Sequence, residues 1–120
     1  MVSSEVFESV QKAVRELELG LEAYLKKNPR EAELRVWNAS SEAEYALFLL
    51  EVEEGLSFQE GDSPKNKVEG KNPVELVVKA QNLLKEALEA GENSRNLFEK
   101  LWEARKSLIT LQEGSGGPGA

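Results

Sequence analysis

Apolar side chains recur every three or four residues through the first segment of the chain. The members of this stripe, at spacings of 3, 4, 3, 4 and 3, are Phe7, Val10, Val14, Leu17, Leu21 and Tyr24. Such a period places all six along one side of an α-helix, and it predicts a helix over 4–27 with Ser3 or Ser4 as N-cap. Gly20 lies beside the stripe. Because glycine costs a helix about 1 kcal/mol relative to alanine, it indicates either a close neighbouring helix or a bend.

The triplet Lys-Asn-Pro occurs twice, at 27–29 and 71–73, and each copy is followed two residues later by glutamate. Asparagine is a strong N-cap, and proline suits the first helical position because its missing N–H would have no partner there. A glutamate at the third helical position can reach back to the N-cap N–H, as in a capping box. The triplet therefore predicts two helix starts rather than a repeated functional motif.

The second segment predicts a helix over 30–55. Its main stripe consists of Val36, Ala39, Ala43, Ala46 and Leu50. The run from Tyr45 to Leu50 is apolar on all sides. It lacks β-branched residues and has Glu- and Ala-rich flanks, which favours a buried helix over a buried strand. Ser41 followed by Glu44 is a second possible cap, so residues 37–41 are either continuous helix, a kink or a break.

Two further helices are predicted over 73–90 and 94–112, with Gly91 and Asn93 or Ser94 at the corner between them. The fold class is therefore all-α: a four-helix bundle or two packed helical hairpins, joined by a long loop at 57–71. We expect one domain over 1–112 and a flexible tail over 113–120. The loop is long enough for the third helix to run either parallel or antiparallel to the second.

The residue types that are missing limit the chemistry of the chain. It contains no Cys and no His among its 120 residues, which removes thiolates, the commonest general base and the commonest transition-metal ligand. We therefore expect no enzymatic activity, no catalytic residue, no cofactor and no metal site. The Glu- and Lys-rich composition is typical of thermophile proteins. The lack of a signal peptide at the start indicates a cytosolic protein.

The net charge is −7, and residues 29–56 alone carry −5. Direct nucleic-acid binding is not expected, since that affinity depends on basic side chains that neutralise phosphates. The sequence contains no run of about 18 apolar residues, so no membrane span is predicted.

These exclusions leave protein surfaces as the expected sites. Some large apolar residues sit off the main stripes, and exposed groups of this kind mark partner surfaces. The predicted partner contacts are Trp37, Leu47, Trp102 and Ile109. The partner is either another protein or a second copy of the chain, which would make a homo-oligomer. The alternative is an acidic regulator that binds a basic protein surface, for example to block a nucleic-acid-binding site. Its predicted acidic face consists of Glu42, Glu44, Glu51 and Glu54.

Overall fold

The computed structural model describes residues 2–56 and 72–114, apart from the side chains of the last two, and this part of the chain is built from four α-helices. These are α1 (Ser4–Leu25), α2 (Pro29–Glu54), α3 (Pro73–Ala90) and α4 (Ser94–Gly114). The two hairpins α1·α2 and α3·α4 pack on each other through α1·α3 and α2·α4. The predicted all-α bundle of two helical hairpins is therefore confirmed. The predicted loop at 57–71 and residues 115–120 of the predicted tail lie outside the described residues.

The helix boundaries follow the local signals in the sequence. α3 has its predicted bounds, α1 ends two residues earlier than predicted, and α4 continues two residues further. α2 is helical without interruption through 37–41. The possible internal cap at Ser41 is therefore not used as a helix start.

Both Lys-Asn-Pro corners begin helices, as predicted. Asn28 Oδ1 accepts a hydrogen bond from the Glu31 N–H at 3.3 Å, and Asn72 Oδ1 accepts one from the Val74 N–H at 2.9 Å. The predicted capping box is wrong at the first corner. Glu31 Oε1 instead accepts from Arg35 Nε at 2.9 Å, while the Asn28 N–H donates to the Ala23 carbonyl at 2.8 Å. The N-cap N–H already has a backbone acceptor, which leaves the glutamate side chain available for another partner.

The same corner ends α1 in a Schellman motif. The Asn28 N–H bonds to the Ala23 carbonyl, and the Lys27 N–H bonds to the Tyr24 carbonyl at 3.1 Å, which is the pairing that defines this motif. The motif requires a left-handed residue, and Lys27 supplies it with φ 59°. A side chain at such a φ is strained because its Cβ crowds the backbone.

We expect Lys27→Gly to stabilise the protein by about 0.5–1 kcal/mol, because glycine adopts this backbone conformation without strain. Urea unfolding followed by helical circular dichroism measures the change. Lys27→Ala is the matched control: it removes the same charge but keeps the Cβ, so its stability should stay close to that of the original chain. If the Lys27→Gly variant were no more stable than the Lys27→Ala variant, the assignment of strain to this residue would be wrong.

The helix directions follow from two contacts at one end of the bundle. The Val2 N–H donates to Glu92 Oε2 at 3.1 Å, so α1 begins beside the corner between α3 and α4. Tyr45 in the second half of α2 bonds to Glu5 near the start of α1. α2 therefore finishes at the end where α4 begins, which makes those two helices antiparallel. Since α3 and α4 form a hairpin, α3 runs parallel to α2, a direction that the sequence left open.

The core draws its large side chains mainly from three helices. Fully buried leucines from α1, α3 and α4 are Leu17, Leu84, Leu97, Leu101 and Leu108. α2 contributes one fully buried leucine, Leu50, and fills much of its buried side with alanine. Gly20 of α1 lies where a Cβ would be only 3.3 Å from the Arg35 Cβ of α2. The sequence allowed either a close neighbouring helix or a bend at Gly20, and the structure shows the close neighbouring helix.

Candidate protein-binding surface

Large apolar side chains cover the side of α2 that points away from the bundle. Their spacings are 3, 8, 3 and 4 from position 34 to position 52, with Ser41 in the gap of eight. This span corresponds to about 27 Å of helix. Each is between 46 and 66 % exposed. We call this surface the outer face of α2, and its members are Leu34, Trp37, Tyr45, Phe48 and Val52. In the described part of the chain, Leu25 and Val78 are the other large hydrophobic residues that are exposed.

The two sides of α2 have an unusual division of residue sizes. On a helix with 100° per residue, the outer face lies opposite the buried stripe that runs through Ala32, Ala43 and Leu50. The buried side is mostly small, and three of the five outer residues are aromatic. A helix that served only the bundle would place its large side chains inward. In α2 the arrangement is reversed, so its aromatic side chains contribute little to the core.

Carboxylates line both long edges of the outer face. One edge carries Glu42 and Glu53, and the other carries Glu44 and Glu51. Glu44 accepts a hydrogen bond from Arg105 Nε of α4 at 3.2 Å, so its edge faces α4. Of these four edge carboxylates, Glu44 is the one that forms an ion pair within the described residues. The acidic residues therefore do not make one separate acidic face; they enclose an apolar one.

The other edge meets α1 through Tyr45. Its hydroxyl donates to Glu5 Oε2 at 3.1 Å. The hydrogen bond and the charge of Glu5 raise the pKa of Tyr45 above its usual value, with smaller contributions from burial and from the charges of Glu53 and Glu42. Three carboxylates, those of Glu5, Glu53 and Glu42, therefore favour the protonated form of this phenol.

We expect the Tyr45 pKa to fall when Glu5 is neutralised. The sequence has two tyrosines, so a Tyr24→Phe background isolates Tyr45 for an alkaline absorbance titration. Its midpoint should lie above about 10, and Glu5→Gln should lower it. The matched control Glu18→Gln removes the same charge further along α1 and should leave the midpoint unchanged. Because the folded-state pKa is the higher one, the stabilising effect is present below about pH 10 and is lost as pH rises through the folded pKa.

A cleft between α2 and α4 extends the outer face. It has a volume of about 370 Å³ and is lined by Glu44, Leu47, Phe48, Glu51, Trp102 and Arg105. The Arg105 guanidinium lies 5.2 Å from the centroid of the Trp102 ring, within cation–π range. Trp102 is half-buried, and Ile109, also half-buried, follows it by seven residues on the same side of α4.

The structure places the four predicted contacts differently from one another. Trp37 is 62 % exposed, and Trp102 and Ile109 are accessible in part. The prediction that Leu47 is an exposed contact is corrected, because its side chain is only 4 % exposed and belongs to the core. It lies at the edge of the buried stripe, where packing between α2 and α4 covers it. Its small exposed part lines the floor of the cleft. A partner cannot use it as an anchor in this structure.

The predicted contacts did not include four of the five members of the outer face, namely Leu34, Tyr45, Phe48 and Val52. The run from Tyr45 to Leu50 is helical as predicted, but the prediction that it is buried is wrong for Tyr45 and Phe48. The signal that could have found them is the second stripe, at spacings of 3, 8, 3 and 4, opposite the first. Glu54 of the predicted acidic face is half-buried near the end of α2, away from the edge formed by Glu44 and Glu51.

Other kinds of site receive no support from the described residues. They contain no group of three or more acidic, His or Cys side chains arranged to hold a metal ion. None of their helices combines the length and apolar content needed to cross a bilayer.

The chain matches no protein-family model, no curated protein and no solved structure. The fold and the site together define a small helical bundle with one exposed apolar helix face. Its function has to be inferred from the chemistry of that surface.

Proposed function

We propose that this chain is a non-catalytic protein–protein interaction module that binds its partner through the outer face of α2. One observation carries the proposal: five large apolar side chains are exposed together along one side of a single helix. Exposed apolar groups collected in one place cost solubility unless they are covered. Aromatic side chains such as Trp37, Tyr45 and Phe48 are also the types that most often dominate binding energy.

Trp102 and Ile109 of α4 would extend the contact across the cleft. Their partial exposure lets a partner bury them further without opening the bundle. The non-catalytic assignment is supported by the sequence, which has neither His nor Cys. A partner protein and a second copy of the chain are the two classes of occupant that such a surface could bind.

Site-specific photocrosslinking tests the proposal. Benzoylphenylalanine is introduced at position 48, in the centre of the outer face, and the protein is irradiated in an extract of the organism that makes it. We expect one discrete adduct. The matched control carries the same crosslinker at position 85, which is exposed on α3, and should give none.

A second variant separates specific binding from general stickiness. Val52→Glu in the position-48 crosslinker protein leaves the aromatic group in place but puts a charge on the outer face, so the adduct should be lost. The proposal fails if no adduct forms at position 48, if position 85 gives the same adducts, or if Val52→Glu has no effect.

A further inference from the structure

We propose that the occupant of the outer face is a basic amphipathic helix from another protein, with an apolar stripe bordered by Lys or Arg on both sides. This inference rests on the proposed function and deepens it by naming the chemistry of the partner. It draws on the shape of the outer face, the charges at its edges and the charges a second copy would bring.

The shape of the surface fits one helix. The outer face is about 27 Å long and one helix, or about 10 Å, wide. A standard protein interface buries about 800 Å² on each partner. A flat globular surface that contacts only this narrow stripe would bury less area than that. A helix laid along α2 uses the stripe fully, because its own apolar residues recur at spacings of three and four.

The edge charges favour a basic occupant. Glu42 and Glu53 border the stripe on the α1 side, and Glu5 of α1 adds a third carboxylate through its contact with Tyr45. Glu44 and Glu51 border it on the α4 side. A helix with basic side chains on both sides of its apolar stripe would meet carboxylates along both edges. Such complementarity selects partners and speeds their association.

Few positive charges oppose this field. Arg105 is bound to Glu44 and offsets that one carboxylate. Lys12 lies seven residues after Glu5, on the same side of α1. Around the second half of α2, these two cations stand against five carboxylates, so that part of the border of the outer face is acidic. Three of these carboxylates, Glu5 first and then Glu53 and Glu42, also raise the pKa of Tyr45.

A second copy of the chain is a poor occupant for the same reason. In a parallel pair of α2 helices, the Glu-rich second halves would face each other, and like charges at this spacing repel. In an antiparallel pair, that half would meet residues 29–38. There Arg30 and Arg35 are balanced by Glu31 and Glu33, and Arg35 is already bound to Glu16 and Glu31. Neither orientation supplies complementary charge.

Designed peptides test the inference. One 21-residue peptide has Leu at helical spacing with Lys on both sides of the stripe. The second replaces each Lys with Glu, and the third keeps the Lys peptide's composition but scrambles the Leu positions. A Trp102→Phe protein leaves Trp37 as the single tryptophan, since the sequence has two, and its emission reports burial of the outer face. We expect the Lys peptide to shift the emission to the blue and to bind at least tenfold tighter than the Glu peptide at low salt, since several ion pairs contribute.

Protein variants identify the charges responsible. Glu42→Lys with Glu51→Lys changes one residue on each edge and should abolish the preference for the Lys peptide. Glu18→Lys with Glu89→Lys is the matched control: it changes the net charge equally at two exposed positions away from α2 and should retain the preference. Raising the salt from about 0.05 to 0.5 M should narrow the difference between the peptides, because screening shortens to a few ångströms.

The outcomes separate this inference from the proposed function. Equal binding of both stripe peptides, lost in Phe48→Ser, would overturn the basic partner while supporting a binding face. Self-association of the chain at low micromolar concentration by sedimentation, lost in the same variant, would identify a second copy as the occupant and overturn the inference. Binding of no peptide, or equal binding of the scrambled one, would also overturn it. In those cases the position-48 crosslink decides the proposed function by itself.

Discussion

Leu50→Ala is expected to lower the free energy of unfolding by about 3 kcal/mol, within the 2–5 kcal/mol usual for emptying a leucine site in a packed core. Leu50 is fully buried and is the one fully buried leucine that α2 contributes. Ala43 and Ala46 precede it on the buried side of α2, and these small side chains cannot fill the space that the substitution leaves. A loss of this size is a large fraction of the stability of an ordinary small domain.

Phe48→Ala is the informative comparison, because Phe48 lies two residues away on the same helix but is 56 % exposed. Its removal from the outer face loses little core packing, and alanine is the better helix former. We expect a loss below about 1 kcal/mol, as for most surface substitutions. Urea unfolding should give a lower midpoint for the Leu50 variant with an unchanged slope.

Leu50→Met controls for the substitution itself and should cost less than about 1.5 kcal/mol, because it conserves volume. The comparison bears directly on the proposed function. If Phe48→Ala costs as much as Leu50→Ala, then Phe48 belongs to the core in solution and the outer face is not a free surface. If it costs little, Phe48 is not needed for folding and is free to contact a partner, as the proposed function requires.

The sequence did not predict that Leu50 is buried while Phe48 is exposed. Both lie in one apolar run, and periodicity predicts that the run is helical whichever side is buried. The choice depends on what packs against it. Gly20 of α1 packs closely on α2 near Ala32 and Arg35, and along α2 the alanine side faces inward while Phe48 faces out. That information is distributed over two segments and is not present in either alone.

The helix starts were predictable because their signals are local. Asn28 and Asn72 cap the helices that follow them, and each signal is contained in a few adjacent residues. Helix direction was not predictable, because it depends on contacts between distant residues. The Val2 bond to Glu92 joins positions 90 residues apart.

The candidate site was predicted in part. Trp37 was identified by its position off the main stripe, and it is exposed. Leu47 was selected by the same criterion and is buried, since the strip of α2 covered by α4 is wider than the single row of residues used to define the stripe. The carboxylates were identified as one face, although 100° per residue places Glu42 and Glu44 on opposite edges. The apolar stripe lies between those two edges.

Gly20→Leu is expected to destabilise the protein by about 2–3 kcal/mol, through overpacking at the closest approach of α1 and α2. A Cβ at this position would already lie 3.3 Å from the Arg35 Cβ and 3.7 Å from the Ala32 carbonyl oxygen. The further atoms of leucine have to displace the backbone of α2, and Arg35 would then lose its present geometry with Glu16 and Glu31, at 3.2 and 2.9 Å.

Gly20→Ala separates the two roles of this glycine. Alanine gains about 1 kcal/mol of helix propensity, and its single carbon needs the Arg35 stem to move by a few tenths of an ångström. These effects offset each other, so its stability should stay within about 0.5 kcal/mol of the original chain. Glu18→Leu adds a leucine at an exposed position of α1 and should change stability little. If Gly20→Leu proved as stable as Glu18→Leu, the helices would not be closely packed at this point.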